Sequence, residues 1–401
     1  MKKNLHAELR QNNPLFITII CIVLVALNLR PSMASFGPLL TQITNSIGIT
    51  YTQTSLLTML PVIAMGIGMF FGGKIKSTIG LVPAIFIALI LIGVATAARY
   101  FYFDVTSLIT TAIISGLGIA IIQALMPAFI KSNFTNTPLL MGFYATAIMG
   151  GAAISASLSA LLANKLNSWQ LSLAIWAIFA LVGLIAWRKI SLITKNLVNQ
   201  PTKSEKTQDN FFTNRRAWLL ALFFGFGTAT YTCVLAWLAP FYLDLGFTDQ
   251  EAGMILGLLT LFEVVSGLII PMLSAKKIDR RGYLLLLLLF VAIGFIGLAF
   301  SPLKLVILWP ALLGIGIGGL FPMSLIVSMD HIHSPKRSGN LTAFTQGVGY
   351  IIAGLSPLIA GFIRSETNSF QYSWLLLALV MVIMIPMALS FNPTGYSEKF
   401  D

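Results

Sequence analysis

The sequence predicts an all-α membrane protein of twelve transmembrane helices, arranged as two pseudo-symmetric halves of six. Three observations predict it. The 401-residue chain is 57% hydrophobic and only 9% charged, with a mean hydropathy of +0.88, whereas a soluble domain carries about 25% charged residues. Twelve apolar stretches approach or exceed the roughly 20 residues that a helix needs to cross a hydrocarbon core. Motifs in the first six stretches return in the last six at nearly constant spacing. The pattern is not the weaker ten-residue alternation of a membrane β-barrel.

Taken in order, spans 1 to 6 are read at 14–40, 54–73, 81–98, 106–130, 138–163 and 169–187. Spans 7 to 12 are read at 217–243, 252–273, 283–301, 304–329, 338–363 and 370–391. Between the sets lies the one long polar segment, 188–216, which includes Asn199, Gln200, Pro201, Lys203, Glu205 and Asp209 and reads as a flexible linker. The chain therefore divides into an N-terminal half (1–187), a cytoplasmic linker (188–216) and a C-terminal half with a short tail (217–401). The stretch after Pro14 is too long for a cleavable signal and continues into Arg30 without a small-residue cleavage site. Cys21 and Cys233 fall inside spans 1 and 7 and suggest no disulfide framework.

The net charge of +12 is distributed by side. In a twelve-span arrangement 20 of the 25 basic residues, among them Lys74, Lys131, Arg216, Arg280, Arg281 and Lys336, fall on one face. The opposite face receives Arg99, Lys165, Lys304 and Arg364, and Arg30 lies within the membrane. The positive-inside rule then places both termini in the cytoplasm. A nucleic-acid-binding patch has no reason to alternate with apolar spans, so nucleic acid is set aside and the bilayer is the expected environment.

The internal copy is visible at three places. Gly116-Leu117-Gly118-Ile119-Ala120 in span 4 recurs as Gly314-Ile315-Gly316-Ile317-Gly318 in span 10, an offset of 198. The loop from Gly73 to Gly80 is echoed from Ala275 to Gly282, and Gly37-Pro38-Leu39-Leu40 by Ala239-Pro240-Phe241-Tyr242, both at 202. Duplicated six-span halves in the same orientation are the major facilitator arrangement, with the solute site near midplane between them. The basic loop after span 2 lacks that superfamily's usual Asp, whereas Asp279-Arg280-Arg281 in the second copy is closer to type.

A few polar groups fall where a membrane disfavours them. Arg30 is a permanent cation deep in span 1, where insertion scales place a central Arg at about +2.5 to +3.5 kcal/mol. The 202 offset carries it to Thr232, so the charge exists in one half only. That asymmetry favours solute binding over a tie to backbone carbonyls or a carboxylate, which stands as the alternative. Glu263 in span 8 is the one acid deep in a span. It fits a counter-ion of Arg30, a proton-coupling carboxylate, a neutral hydrogen-bonding acid or a packing role. Gln123 and Gln346 on spans 4 and 11 suit a small polar solute, and helix–helix hydrogen bonds explain them as well. Tyr231 and Trp237 on span 7 join the cavity candidates, against the plainer use of aromatics at membrane interfaces. Asp330 and His331 end span 10 on the cytoplasmic side and are read as a gate, or as a hydrated helix end.

No metal-ligand cluster, phosphate-binding loop or catalytic pair is found in the sequence, so neither an enzyme nor a self-contained ATP-driven pump is expected, and no cofactor. Pro38, Pro61, Pro127, Pro240, Pro310 and Pro322 interrupt spans and suit bent or broken helices.

The motifs also carry a resemblance. Asn28-Leu29-Arg30-Pro31, Gly37-Pro38-Leu39-Leu40, Leu60-Pro61-Val62 and the run from Gly118 to Pro127 resemble the cyanate transporter family of the major facilitator superfamily. So do Ala236-Trp237-Leu238-Ala239-Pro240, Phe321-Pro322, Asp330-His331 and Gln346-Gly347-Val348-Gly349-Tyr350. The likeness covers nearly the whole chain, and the family also includes members associated with 2-nitroimidazole. It implies a secondary carrier for a small anion in a bacterial inner membrane, expected as a monomer; if Glu263 reaches Arg30, anion entry would require Glu263 to take up a proton, which is anion–proton symport. Glu263 stands where the cyanate-associated pattern is expected to carry Gln.

Overall fold

The computed structural model describes residues 16–48, 51–101, 104–134, 136–193, 210–396 and 400. Lys2, Lys3, Arg10, Lys399 and most of the expected linker (194–209) lie outside them. The described residues form helices and turns, with no strand among them. Twelve spans cross as Phe16–Leu39, Leu56–Ile79, Leu81–Ala98, Val105–Asn133, Thr137–Leu166, Trp169–Leu192, Arg215–Asp244, Glu251–Ser274, Arg281–Phe300, Leu308–Asp330, Pro335–Thr367 and Gln371–Leu389.

Outward-facing side chains such as Ile67, Val94, Leu181, Leu289 and Phe362 are large, apolar and exposed. Water would not tolerate that surface and lipid does. Spans 4 and 10 are the innermost, with 83% and 89% of their apolar windows buried. Their Gly-x-Gly motifs explain the placement. A Cβ on Gly116 would come within 2.6 Å of the Pro61 carbonyl on span 2, and one on Gly118 within 2.8 Å of the Ala88 carbonyl on span 3. In the second half Gly314 abuts the Leu259 carbonyl on span 8, and a Cβ on Gly316 would approach the Leu287 carbonyl on span 9 to 2.8 Å. Each motif lets one helix lie against two neighbours, backbone to backbone.

The duplication extends to features that the sequence did not flag. Spans 5 and 11 both end on an asparagine in the left-handed region, Asn167 at φ 48° and Asn368 at φ 52°, 201 residues apart. Just beyond, Ser172 donates to the Ser159 carbonyl (2.7 Å) and Ser373 to the Ala360 carbonyl (3.2 Å), so the same hairpin closure recurs 201 residues on.

Span 1 breaks the symmetry. Its first helix gives way to a turn at Asn28–Arg30, followed by a four-residue helix, Pro31–Ala34, a 3-10 turn, Gly37–Leu39, and a final helix, Leu40–Ile47. Pro31 has no N–H, so it cannot donate to the Leu27 carbonyl, and the helix stops there. Span 7 runs unbroken from Arg215 to Asp244. The prolines expected to break spans behave differently: Pro61, Pro127, Pro240 and Pro322 sit inside continuous helices.

Candidate functional site

The turn in span 1 presents Arg30. The N–H groups of Asn28 and Leu29 reach back to Val25 and Ala26 (3.3 and 3.0 Å), and the Arg30 carbonyl accepts from Met33 and Ala34 (3.0 and 2.9 Å). Arg30 thereby caps the short helix with φ −121° and ψ −23° and turns its side chain into the protein, where it is 6% exposed. Asn28, two residues away in the same turn, is also buried.

The guanidinium meets spans 7 and 11 of the other half. Its Nη2 donates to the Tyr350 hydroxyl at 3.4 Å, and its carbon lies 5.7 Å from the ring centres of both Tyr350 and Tyr231, within cation–π range. No carboxylate of the described residues lies within 4 Å of it. A cavity of about 20 Å³ opens beside it, lined by Ile148, Met149, Gly227, Thr228, Tyr231, Ile317 and Phe321. Both halves contribute to this lining.

Around Arg30 several polar atoms are buried without a hydrogen-bond partner: the Tyr144 hydroxyl, the Thr228 hydroxyl, the side-chain amide of Gln123 and Oε1 of Glu263. Buried polar atoms are nearly always paired, so these groups are free to meet a solute or water. Tyr144 and Tyr350 both lie in the field of Arg30, and Gln123 stands beside the Tyr350 hydroxyl without the geometry of a hydrogen bond. Glu263 is 1% exposed and feels the Arg30 charge across more than ion-pair distance. Its backbone is fixed by Gly318, whose added Cβ would meet the Glu263 Cα at 2.5 Å.

The structure thus brings Arg30, Tyr231, Glu263 and Gln123 together. Gln346 joins from span 11, its Nε2 donating to the Gln123 carbonyl at 3.4 Å across the seam between halves. Trp237 does not join. It lies six residues beyond Tyr231, about 240° further round the helix, and its indole donates to the Pro357 carbonyl at 2.8 Å beside Phe370. Tyr350, Tyr144 and Thr228 were missed. Tyr350 follows Gln346 by four and Thr228 precedes Tyr231 by three, spacings that share a helix face.

On the linker side, Asp330 pairs with Arg280 at 3.1 Å, within the second half. His331 stays there too: Nδ1 donates to the Val327 carbonyl at 2.7 Å and Nε2 accepts from Arg216 Nε at 3.0 Å. Burial pushes the His331 imidazole down to about 4, and neighbouring Arg216 acts in the same direction, so the ring is neutral. The group that crosses between halves is Lys131 of span 4. Its ammonium donates to the Met329 carbonyl, to the Ile332 carbonyl (2.6 Å) and to Ser338 Oγ (3.1 Å), capping the end of span 10.

The profile of the Major Facilitator Superfamily matches residues 18–357 and 242–400. The chain is 36% identical over 381 residues to the cyanate transport protein CynX of Escherichia coli (strain K12), covering 95% of this chain and 98% of that one. It is 28% identical over 369 residues to the 2-nitroimidazole transporter of the same organism, covering 92% and 93%. Among solved structures, the proton:xylose symporter XylE superposes with a TM-score of 0.79 at 13% identity, over 95% of this chain and 96% of that one. FucP in its outward conformation gives 0.72 at 14% identity, over 94% and 99%; at such identities the likeness shows the fold alone. The matched length, the twelve spans and the duplicated halves agree: this multi-pass membrane protein is a transporter rather than an enzyme, and it belongs to the major facilitator superfamily, in the family of the cyanate transporters.

Proposed function

We propose that this chain is a secondary carrier that moves a small anion such as cyanate across a bacterial inner membrane by alternating access, coupled to protons. Both termini and the linker at 188–216 then lie in the cytoplasm, on the side that holds most of the basic residues. One observation carries the proposal: Arg30 is a buried, permanent cation at the unwound point of a membrane span, with no carboxylate of the described residues within 4 Å and with Tyr231 and Tyr350 beside it. Burying such a charge is tolerable when an anion completes it.

Cyanate is linear and carries one negative charge. One end suits two N–H groups of the guanidinium edge, and the hydroxyls of Tyr350 and Thr228 are within reach of the same cavity to orient the rest. A cavity of about 20 Å³ suits a solute of few heavy atoms. Glu263 opposes the Arg30 charge when no anion is bound; anion entry then places two negative charges near one cation, and a proton taken up by Glu263 relieves the repulsion. One anion and one proton cross together. The similarity to the cyanate transport protein supports this solute class.

A second solute class is favoured by a neighbouring apolar cavity that shares Gly227, Thr228 and Phe321 with the first and is walled by Phe223, Phe224, Leu320 and Met384. A flat heterocycle of the 2-nitroimidazole kind would use both.

The test is uptake of labelled cyanate into liposomes, with and without a pH gradient, against a competition panel of small anions and nitro-heterocycles. Arg30→Ala is expected to insert normally and to lose uptake by about 30-fold or more, in line with about 2 kcal/mol or more for truncating one partner of a buried charge pair. Retained uptake in that variant removes Arg30 from the site. Displacement by heterocycles but not by anions moves the substrate to the second class.

A further inference from the structure

Arg99 was read from sequence as a loop residue, yet it is fully buried. It follows the last residue of span 3, and its guanidinium reaches back to the broken part of span 1. Nη1 donates to the Ser32 carbonyl at 2.5 Å, Nε to Thr111 Oγ1 at 3.4 Å, and the guanidinium carbon stands 4.6 Å from the Phe36 ring centre. No carboxylate of the described residues lies within 4 Å.

The Ser32 carbonyl needs this donor. In a continuous helix it would accept from Phe36, but the helix ends at Ala34 and the Phe36 N–H goes to Met33 instead (3.4 Å). A main-chain carbonyl freed at membrane depth must find a partner. Arg99 supplies it two residues beyond Arg30, within the same short helix that Arg30 caps. The second half provides the control. At an offset of 202 Arg30 becomes Thr232, in a span with no break, and Arg99 becomes Ser301. Thr232 bonds the Ala353 carbonyl (2.7 Å) and Ser356 (2.9 Å), as an ordinary helix-packing residue does. The break and the two buried cations occur together in the first half, and at the equivalent positions of the second the helix is continuous and the cations are replaced by Thr232 and Ser301.

We propose that Arg99 is a positioning residue: it holds the unwound segment of span 1 so that Arg30 meets Tyr231, Tyr350 and the solute. This rests on the assignment of Arg30 to the solute site. A planar fork suits the task, because Ser32 and Thr111 are bonded by different nitrogens of one rigid group while its face lies on Phe36.

Two measurements on the full-length protein test it, one of which needs no substrate. Hydrogen exchange of the protein in nanodiscs, read on peptides covering 28–39, is expected to accelerate about tenfold or more in Arg99→Met and to remain close to wild type in Arg99→Lys, which keeps one donor for Ser32. In liposomes, Arg99→Met is expected to raise the KM for cyanate about tenfold while kcat stays within about threefold, with Arg99→Lys restoring most of the KM. If Arg99→Met does not accumulate, Thr111→Val removes the hydroxyl that steers Nε, with smaller shifts expected in the same two readouts. Unchanged exchange over 28–39 overturns the proposal, and so does faster exchange with an unchanged KM. If the wild type takes up neither cyanate nor any anion of the panel, the proposed function fails instead, while the exchange arm still decides whether Arg99 holds the turn.

Discussion

Arg30 and Glu263 are both buried at the seam, yet they stand on opposite sides of it and do not form an ion pair. That spacing is what a coupling carboxylate needs, since a direct salt bridge would hold Glu263 ionised and block the cation. Glu263→Gln keeps the shape and removes the proton site. It is expected to keep uptake without a gradient within about threefold of wild type and to abolish stimulation by a pH gradient; unchanged pH dependence would exclude Glu263 as the coupling group. Residues of this kind were legible because a charge in an apolar run has few structural excuses. Hydroxyls were not. Thr228 stands in a run of Gly and Thr, where such a hydroxyl usually bonds its own helix, as Thr230 and Thr342 do here, and Tyr350 stands in an apolar run where an aromatic ring ordinarily serves packing. Arg99 was hidden for the opposite reason: it ends an apolar run, where an arginine ordinarily faces water, and only the folded position of Ser32 gives it a buried partner.

At the level of helices, the repeated Gly-x-Gly motifs were readable, and their packing against equivalent carbonyls explains why they repeat. The break in span 1 was half-readable. Pro31 stood in the sequence, but so did many other prolines in spans, and those remain inside intact helices because neighbouring helices absorb the lost bond. Pro31 differs in following the turn at Asn28–Arg30, where the chain leaves the helical path. Lys131 is another helix-scale device. Gate residues were sought among Asp330 and His331, but the bonds across the seam come from span 4 onto the end of span 10, a position that depends on how the halves meet. Lys131→Ala is expected to loosen the linker side by about 1.5–3 kcal/mol. A cysteine placed at buried Thr342 should then react about tenfold or more faster with an impermeant thiol reagent from that side; equal labelling would show that Lys131 holds nothing shut.

Across the whole molecule, a symmetric scaffold carries an asymmetric centre. Both halves close their span hairpins with the same left-handed asparagine and the same serine bond, while among the described residues the first half supplies the span broken at Arg30 and the second supplies the central carboxylate. Rocking two similar bodies about such a centre has an electrical consequence. In the proposed cycle the empty centre holds Arg30 and ionised Glu263 and sums to zero, and the loaded centre holds Arg30, the anion and a protonated Glu263 and again sums to zero. A membrane voltage does work of about 2.3 kcal/mol per elementary charge per 100 mV, but only on charge that moves. Uptake into liposomes whose voltage is set with potassium and valinomycin is therefore expected to run at one rate whether the interior is neutral or negative; a rate that follows voltage would mean that the anion crosses without its proton. For a cell whose interior repels every anion, a carrier working by the proposed cycle would remove the voltage from the journey and leave direction to concentration and pH.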